Sequence, residues 1–299
     1  MSVRVTGTGS LLIVLGVALS SATSAPARAD APGSKPPDFS RRVATRALGA
    51  ESPPPRAALD RPGVIGLETI ASTATIENVP VCTALQEQYA PVMVQAGGGE
   101  IVVWDDYRGG ERDIYAQKLG AAGVTQWVLD GVPVCKATGS QRDPRAISDG
   151  AGGAIVVWQD ARAGATDIYA QRIDADGVAL WATGGVLVCG AGGDQKAPVV
   201  VGDGQGGAVV AWVDERSAGS DVYAQRIGAG GVMQWGGGGV AVCTAWGVQQ
   251  ELAVVGDGQR GAIVVWQDRR SGTGDIYARR VDESGVAQWG ADGVALCGA

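Results

Sequence analysis

Along residues 77–299, short apolar runs and polar, glycine-rich breaks follow one another at a fixed interval. Residues 144–189 serve as one unit. Pro144-Arg145-Ala146-Ile147-Ser148 reads as a first strand. Asp149-Gly150-Ala151-Gly152-Gly153 reads as a hairpin turn, because Asp-Gly and Gly-Gly supply the positive φ that tight turns need. Ala154–Trp158 is apolar at every position rather than at alternate ones, which predicts a strand covered on both faces. Gln159–Asp167 is a polar loop, and Ile168–Ile173 is a third strand with mixed faces. After the turn Asp174–Gly177, Val178–Trp181 and Val186–Cys189 predict an outer strand interrupted by Ala182-Thr183-Gly184-Gly185. Nothing in the unit repeats with the 3.6-residue period of a helix.

The same unit recurs. Cys135, Cys189, Cys243 and Cys297 stand 54 residues apart, and so do Trp104, Trp158, Trp212 and Trp266. Trp127, Trp181, Trp235 and Trp289 keep that spacing, as do Tyr115, Tyr169, Tyr223 and Tyr277. Cys82 precedes Cys135 by 53, because the Gln95–Glu100 turn is one residue shorter than its later copies. A fixed period with four short antiparallel strands per unit predicts an all-β, propeller-like array of four four-stranded blades. The blades fall at about 91–135, 144–189, 198–243 and 252–297. A flat array of small β units is the competing arrangement. The chain holds five copies of the outer strand but four of the inner three, so Ile76–Cys82 is spare. That predicts an incomplete ring: either self-association through an unpaired edge strand or a piece of a longer repeat protein.

The segment after each second strand is the most specific motif. It reads Trp158-Gln159-Asp160-Ala161-Arg162 … Asp167-Ile168-Tyr169-Ala170-Gln171-Arg172 in the second unit and recurs closely in the other three. It resembles the V-V-W-x-D-x-R … D-I-Y-A-Q-R repeats of large secreted bacterial proteins that are treated as β-propeller-like. The resemblance covers residues 77–299 and implies the fold and an extracellular setting. It brings no catalytic residue with it.

The region before the repeats has a different character. Arg4, the apolar run Leu11–Leu19 and Ala27-Arg28-Ala29 predict an export signal over 1–29. Residues 30–76 hold most of the prolines and scattered arginines without an apolar period, which predicts a stiff, disordered linker. The expected setting is secreted or periplasmic, with no membrane span in the mature chain. The net charge of −7 is the reverse of a nucleic-acid-binding surface. The five cysteines sit at one equivalent position in successive units, about 10 Å or more apart if blades pack as sheets do, and are read as free, mostly buried thiols.

Candidate chemistry is sparse. The chain has no histidine, which removes His-based nucleophilic systems and His-ligated metal sites. The recurrent pairs Asp106/Arg108, Asp160/Arg162, Asp214/Arg216 and Asp268/Arg270 are read as structural staples, since every copy has both. Single Asp-Gly turns offer calcium too few carboxylates, and neither a cofactor nor a metal site is read. Nearly all acids repeat with the unit, and no odd carboxylate pair stands out. The residues that differ between copies, or line the variable loops, are the binding candidates. They are Trp246, Tyr89 and Tyr107, with Gln88, Gln141, Gln195 and Gln249 one per loop. The repeated Gln also suits a bond to its own loop backbone. Trp246 has a competing reading, in which it folds back over a gap. Together these point to an exported, non-enzymatic binding or scaffold module whose ligand is a glycan or a protein. The alternative is a secreted hydrolase or lyase using a carboxylate pair at the ring axis. An unlike, close pair of acids facing that axis is what would separate the two.

Overall fold

The computed structural model describes residues 78–297. The export signal and the linker expected over 1–76 lie outside the described residues, as does the start of the spare segment at Ile76. All the regular structure among the described residues is β. Blade 1 consists of β1 (Gln88–Gln95), β2 (Gly99–Asp106), β3 (Asp113–Gly120) and β4 (Val132–Cys135). Blade 2 consists of β5 (Gln141–Ser148), β6 (Ala154–Ala163), β7 (Ala165–Ile173) and β8 (Val186–Cys189). Blade 3 consists of β9 (Gln195–Gly202), β10 (Ala208–Asp214), β11 (Asp221–Ile227) and β12 (Val240–Cys243). Blade 4 consists of β13 (Gln249–Gly256), β14 (Ala262–Asp268), β15 (Asp275–Val281) and β16 (Val294–Cys297). Each blade is a four-stranded antiparallel sheet in chain order. The first strands line the inner side of the array: β1 packs on β5, β5 on β9 and β9 on β13.

The first strands begin at Gln88, Gln141, Gln195 and Gln249, three residues before the Pro144-type position where the sequence pattern starts them. The cause is a β-bulge. Pairing of β5 with β6 skips from Arg142 to Arg145, so Asp143 and Pro144 stand outside the ladder. Proline has no N–H to give a ladder, and a bulge is where a strand tolerates it. The residue before that position takes a left-handed backbone in every blade, including blade 4, where Leu252 replaces the proline: Ala90, Asp143, Ala197 and Glu251 have φ of 45°, 53°, 48° and 54°.

The second strands behave as their apolar runs predict. Ile155, Val156, Val157 and Trp158 are fully buried, packed on both faces between neighbouring blades. The hairpin turns are held by their aspartates. Asp149 Oδ1 accepts the N–H groups of Ala151 and Gly153, both at 2.8 Å, and Asp149 Oδ2 accepts Arg172 Nη2 at 2.9 Å. Asp203 repeats the arrangement with Arg226, and Asp257 pairs with Arg280. The shorter first turn closes tightly on Gly97 and Gly98, both with positive φ.

The tail face of blades 1–3 is buried by the next blade. Trp127, Trp181 and Trp235 donate their indole N–H to Ala175, Ala229 and Glu283 carbonyls of the following blade at 3.2, 3.0 and 3.0 Å. The described part of the spare segment, from Asn78 on, extends no sheet. Val81 and Cys82 lie instead against Val102, Trp104 and Tyr115, on the blade 1 face that has no preceding blade.

Candidate functional site

Each blade carries the same buried cluster at one end of its strands. Asp160 Oδ2 accepts Trp158 Nε1 at 2.8 Å and Arg162 Nη2 at 2.6 Å; Oδ1 accepts Arg162 N and Nε at 3.0 and 2.9 Å. Arg162 also donates to Gly184 O at 2.8 Å and to Cys135 Sγ of the previous blade at 3.2 Å. Its guanidinium lies over Tyr169, 3.8 Å from the ring centroid. Asp106/Arg108, Asp214/Arg216 and Asp268/Arg270 reproduce this cluster. Every acceptor is used, so these carboxylates have little left for a ligand. Burial opposes the charge on Asp268, but the bonds from Arg270 and Trp266 outweigh it and hold its pKa down at about 2. Among the described residues, all five cysteines are free: Cys135, Cys189 and Cys243 are buried, and Cys297 is exposed. Burial pushes the Cys135 thiol up to about 11 and the Cys243 thiol to about 12.

The glutamines occupy the first position of each inner strand. Gln141 and Gln195 are fully buried and bond back to their own loop carbonyls, Gln141 to Gly139 O at 2.8 Å. Gln88 does the same to Ala84 and Gln86. Gln249 is buried without a partner for either side-chain atom. The aromatic candidates are exposed. Trp246 is 84% exposed, so it does not fold over a gap; Tyr107 and Tyr89 are 42% and 36% exposed. Tyr89 and Tyr107 belong to blade 1, whereas Trp246 belongs to the loop between blades 3 and 4. No described contact brings them together.

The unlike residues converge one position further in, on the inner rim of that same strand end. Asp105 follows Trp104, where the other blades have Gln159, Val213 and Gln267. Asp105 pairs in register with Tyr89, and Arg112 donates to Asp105 Oδ2 at 3.0 Å while lying 4.3 Å over the Tyr89 ring. Asp105 is fully buried, and its Oδ1 has no partner. Desolvation raises its pKa, Arg112 offsets part of this, and the Asp143 charge from blade 2 adds to the rise. Asp143 sits on the left-handed bulge residue, half-buried, and accepts Gln159 Nε2 at 2.7 Å. Around the rim, Lys196 bridges Asp194 at 3.1 Å and Glu215 at 2.7 Å, and Gln250 donates to Gln267 at 2.7 Å.

Asp105 and Asp143 are unlike acids on neighbouring blades whose charges interact, and the sequence alone does not bring them together. A signal for them was present: the residue after each repeated Trp and the bulge residue of each inner strand (Ala90, Asp143, Ala197, Glu251) are positions where copies disagree. Bulges re-aim side chains beside functional sites, and Asp143 stands on one, with its carboxylate bonded to Gln159. A separate groove of about 730 Å³ crosses the opposite ends of blades 3 and 4, lined by Gln205, Gln259, Arg260, Arg280, Glu283 and Gln288. Its charges are spent on one another, Arg280 on Asp257 and Arg260 on Glu283. We therefore place the candidate site at the rim.

No protein-family model matches the chain, and no curated protein matches it. Among solved structures, an endo-arabinase from Bacteroides thetaiotaomicron aligns at 13% identity, covering 70% of this chain and 78% of that one, with a TM-score of 0.39. A putative exo-β-1,3-galactanase from Bifidobacterium bifidum aligns at 10% identity over 69% and 72%, with a TM-score of 0.43. The catalytic domain of a Coprinopsis cinerea GH62 α-L-arabinofuranosidase aligns at 11% over 68% and 67%, with a TM-score of 0.39. Likeness of this degree carries no argument about substrate or residues, and the rim has to be read on its own chemistry. Among the described residues, no helix is long and apolar enough to cross a membrane.

Proposed function

We propose that this protein is an exported glycan-binding propeller whose ligand sits on the inner rim of blades 1 and 2. The observation that carries the reading is the unlike cluster Tyr89, Asp105, Arg112 and Asp143, set in an otherwise repeated scaffold. The part-exposed Tyr89 ring offers an apolar surface, and the half-buried Arg112 guanidinium and Asp143 carboxylate beside it offer directional polar partners. A sugar presents both kinds of surface. Export rests on the signal-like residues at the N-terminus. A protein ligand remains the competing occupant of the same rim.

A second reading is favoured by one specific feature, the raised pKa of Asp105 next to Asp143. Two carboxyl groups in unlike environments are what glycoside cleavage uses. In this reading the rim must open to bring substrate to the buried Asp105, whose protonated fraction gives its proton to the leaving oxygen as the glycosidic bond breaks. Asp143 attacks the anomeric carbon or takes a proton from the attacking water.

Both readings are tested by incubating the purified chain with a panel of soluble polysaccharides, measuring retention in affinity gels and release of reducing ends. Retention without release supports the binding module. Release that Asp143→Asn abolishes while retention persists supports the hydrolase. No retention and no release on any polysaccharide would reject the glycan assignment.

A further inference from the structure

The two ends of the array are complementary and unmatched. On blade 4, the residues equivalent to a buried tail face are exposed. Leu296 is 61% exposed where Val134, Val188 and Val242 are 3%, 2% and 0%. Ile276 is 37% exposed where Ile114, Ile168 and Val222 are fully buried. Cys297 is exposed where Cys135, Cys189 and Cys243 each meet an arginine of the next blade at 3.1–3.2 Å. Trp289 is 42% exposed, and its indole N–H has no acceptor among the described residues.

At the other end, blade 1 holds the seat such a tryptophan fills. In blades 2–4 the turn glycines Gly177, Gly231 and Gly285 press on Trp127, Trp181 and Trp235, so that a Cβ on any of them would come within about 3 Å of the indole. Their counterpart Gly123 meets nothing within 4 Å. Beside it, Ala121 stands where Ala175 and Ala229 accept the indole N–H. One unseated tryptophan and one empty tryptophan seat thus occur in the same chain, held apart.

We propose that the tail face of blade 4 docks on the head face of blade 1 of a second copy of this chain. The three internal interfaces are the template for this contact: Trp289 enters the seat at Gly123 and Ala121, and Leu296 and Cys297 cover Val102, Trp104 and Tyr115. The current cover there is itself a mimic of a preceding blade. Val79-Pro80-Val81-Cys82 repeats Val132-Pro133-Val134-Cys135 residue for residue. Cys82 takes Arg108 Nη2 at 3.2 Å, and Thr83 N donates to Asp130 as Thr244 N does to Asp292. This short segment leaves the Trp seat empty, and the second copy's whole blade face displaces it with more apolar burial. The contact is head-to-tail, so copies close into a ring or extend as a chain. Two copies supply eight blades, within the range of about 4–8 that propellers use.

Sedimentation of the full chain over rising concentration should show a mass above one chain. Trp289→Ala and Leu296→Arg should each weaken association by about tenfold or more. Their melting points at dilute concentration should stay unchanged, since both side chains are exposed in the single chain. Orientation is read in a Cys297→Ser background that keeps Trp289, by mixing Ala121→Cys chains with Ala291→Cys chains and a bis-maleimide. Cross-linking between the two types supports head-to-tail docking. Cross-links confined to Ala291→Cys pairs would mean tail-to-tail docking and overturn the proposal. So would a single-chain mass at every concentration, or association that neither substitution weakens.

Discussion

Asp105 and Asp106 are neighbours in sequence, both fully buried, and their environments are opposite. Asp106 accepts from Trp104, Arg108 Nε, Arg108 Nη2 and the Arg108 backbone, and its pKa is lowered because those bonds outweigh desolvation. Asp105 has one arginine bond, one unpartnered oxygen and a neighbouring carboxylate, and desolvation wins, so its pKa is raised. Asp106 belongs to the part every blade shares and Asp105 to the part only one blade has. A buried carboxylate with all its acceptors met stabilises the fold, whereas one left partly unmet costs stability and is available for chemistry. The repeated staple and the inner rim thus divide the molecule into a scaffold and a site.

The largest effect that would break this division is on the shared tryptophans. Trp158→Ala should cost about 3–5 kcal/mol, as truncations of large buried aromatics do. Trp246→Ala should cost under about 0.5 kcal/mol, as for an exposed residue. Denaturant titration of both variants checks the ranking, and equal losses would contradict it.

Breaking one staple comes next. Asp160→Asn leaves Arg162 without its carboxylate partner and should cost about 3 kcal/mol, in the range for splitting a buried pair. Acid has the same effect more gradually. Asp268 has a folded-state pKa of about 2. Its contribution is therefore fully present above the ordinary carboxylate range and lost as pH falls toward 2. Melting temperature against pH should drop over that window, and Asp268→Asn should flatten the drop.

Asp105 should show the reverse sign. Its raised pKa means the charged form is penalised in the fold at neutral pH, a penalty that disappears as acid protonates it. Asp105→Asn should therefore stabilise by about 1 kcal/mol at neutral pH, the scale of an unmet buried group. The gain should vanish below the ordinary carboxylate range. A loss of stability at neutral pH would place Asp105 with the scaffold after all.

Thiol reactivity gives the smallest and cheapest contrast. Cys297 should react first with a chromogenic disulfide. Cys135 and Cys243, buried and with thiols pushed to about 11 and 12, should wait for unfolding. Early reaction of Cys243 would mean the blade 3–4 interface opens freely.

Much of the scaffold was legible in the sequence. The 54-residue ruler, the unbroken apolar run at Ala154–Trp158 and the Asp-Gly turns are periodic signals, and periodic signals survive without coordinates. What was lost was lost for local reasons. Pro144 hid the true start of β5, because a proline inside a strand reads as an end unless a bulge is known to hold it. Asp105 and Asp143 lie 38 residues apart in different blades, and the strand alignment that brings their charges together is tertiary. The spare Val79–Cys82 copy was visible as a fifth outer strand, yet only the structure places Val81 and Cys82 on a blade face rather than along an edge.

The central claim is that ligand recognition belongs to the inner rim. Its most direct test is calorimetric titration of oligosaccharides into the wild-type chain, Tyr89→Ala and Trp246→Ala. The account predicts saturable binding that Tyr89→Ala weakens by about tenfold or more, with melting temperature unchanged and with Trp246→Ala binding as the wild type does. Binding that survives Tyr89→Ala and is lost in Trp246→Ala would contradict it.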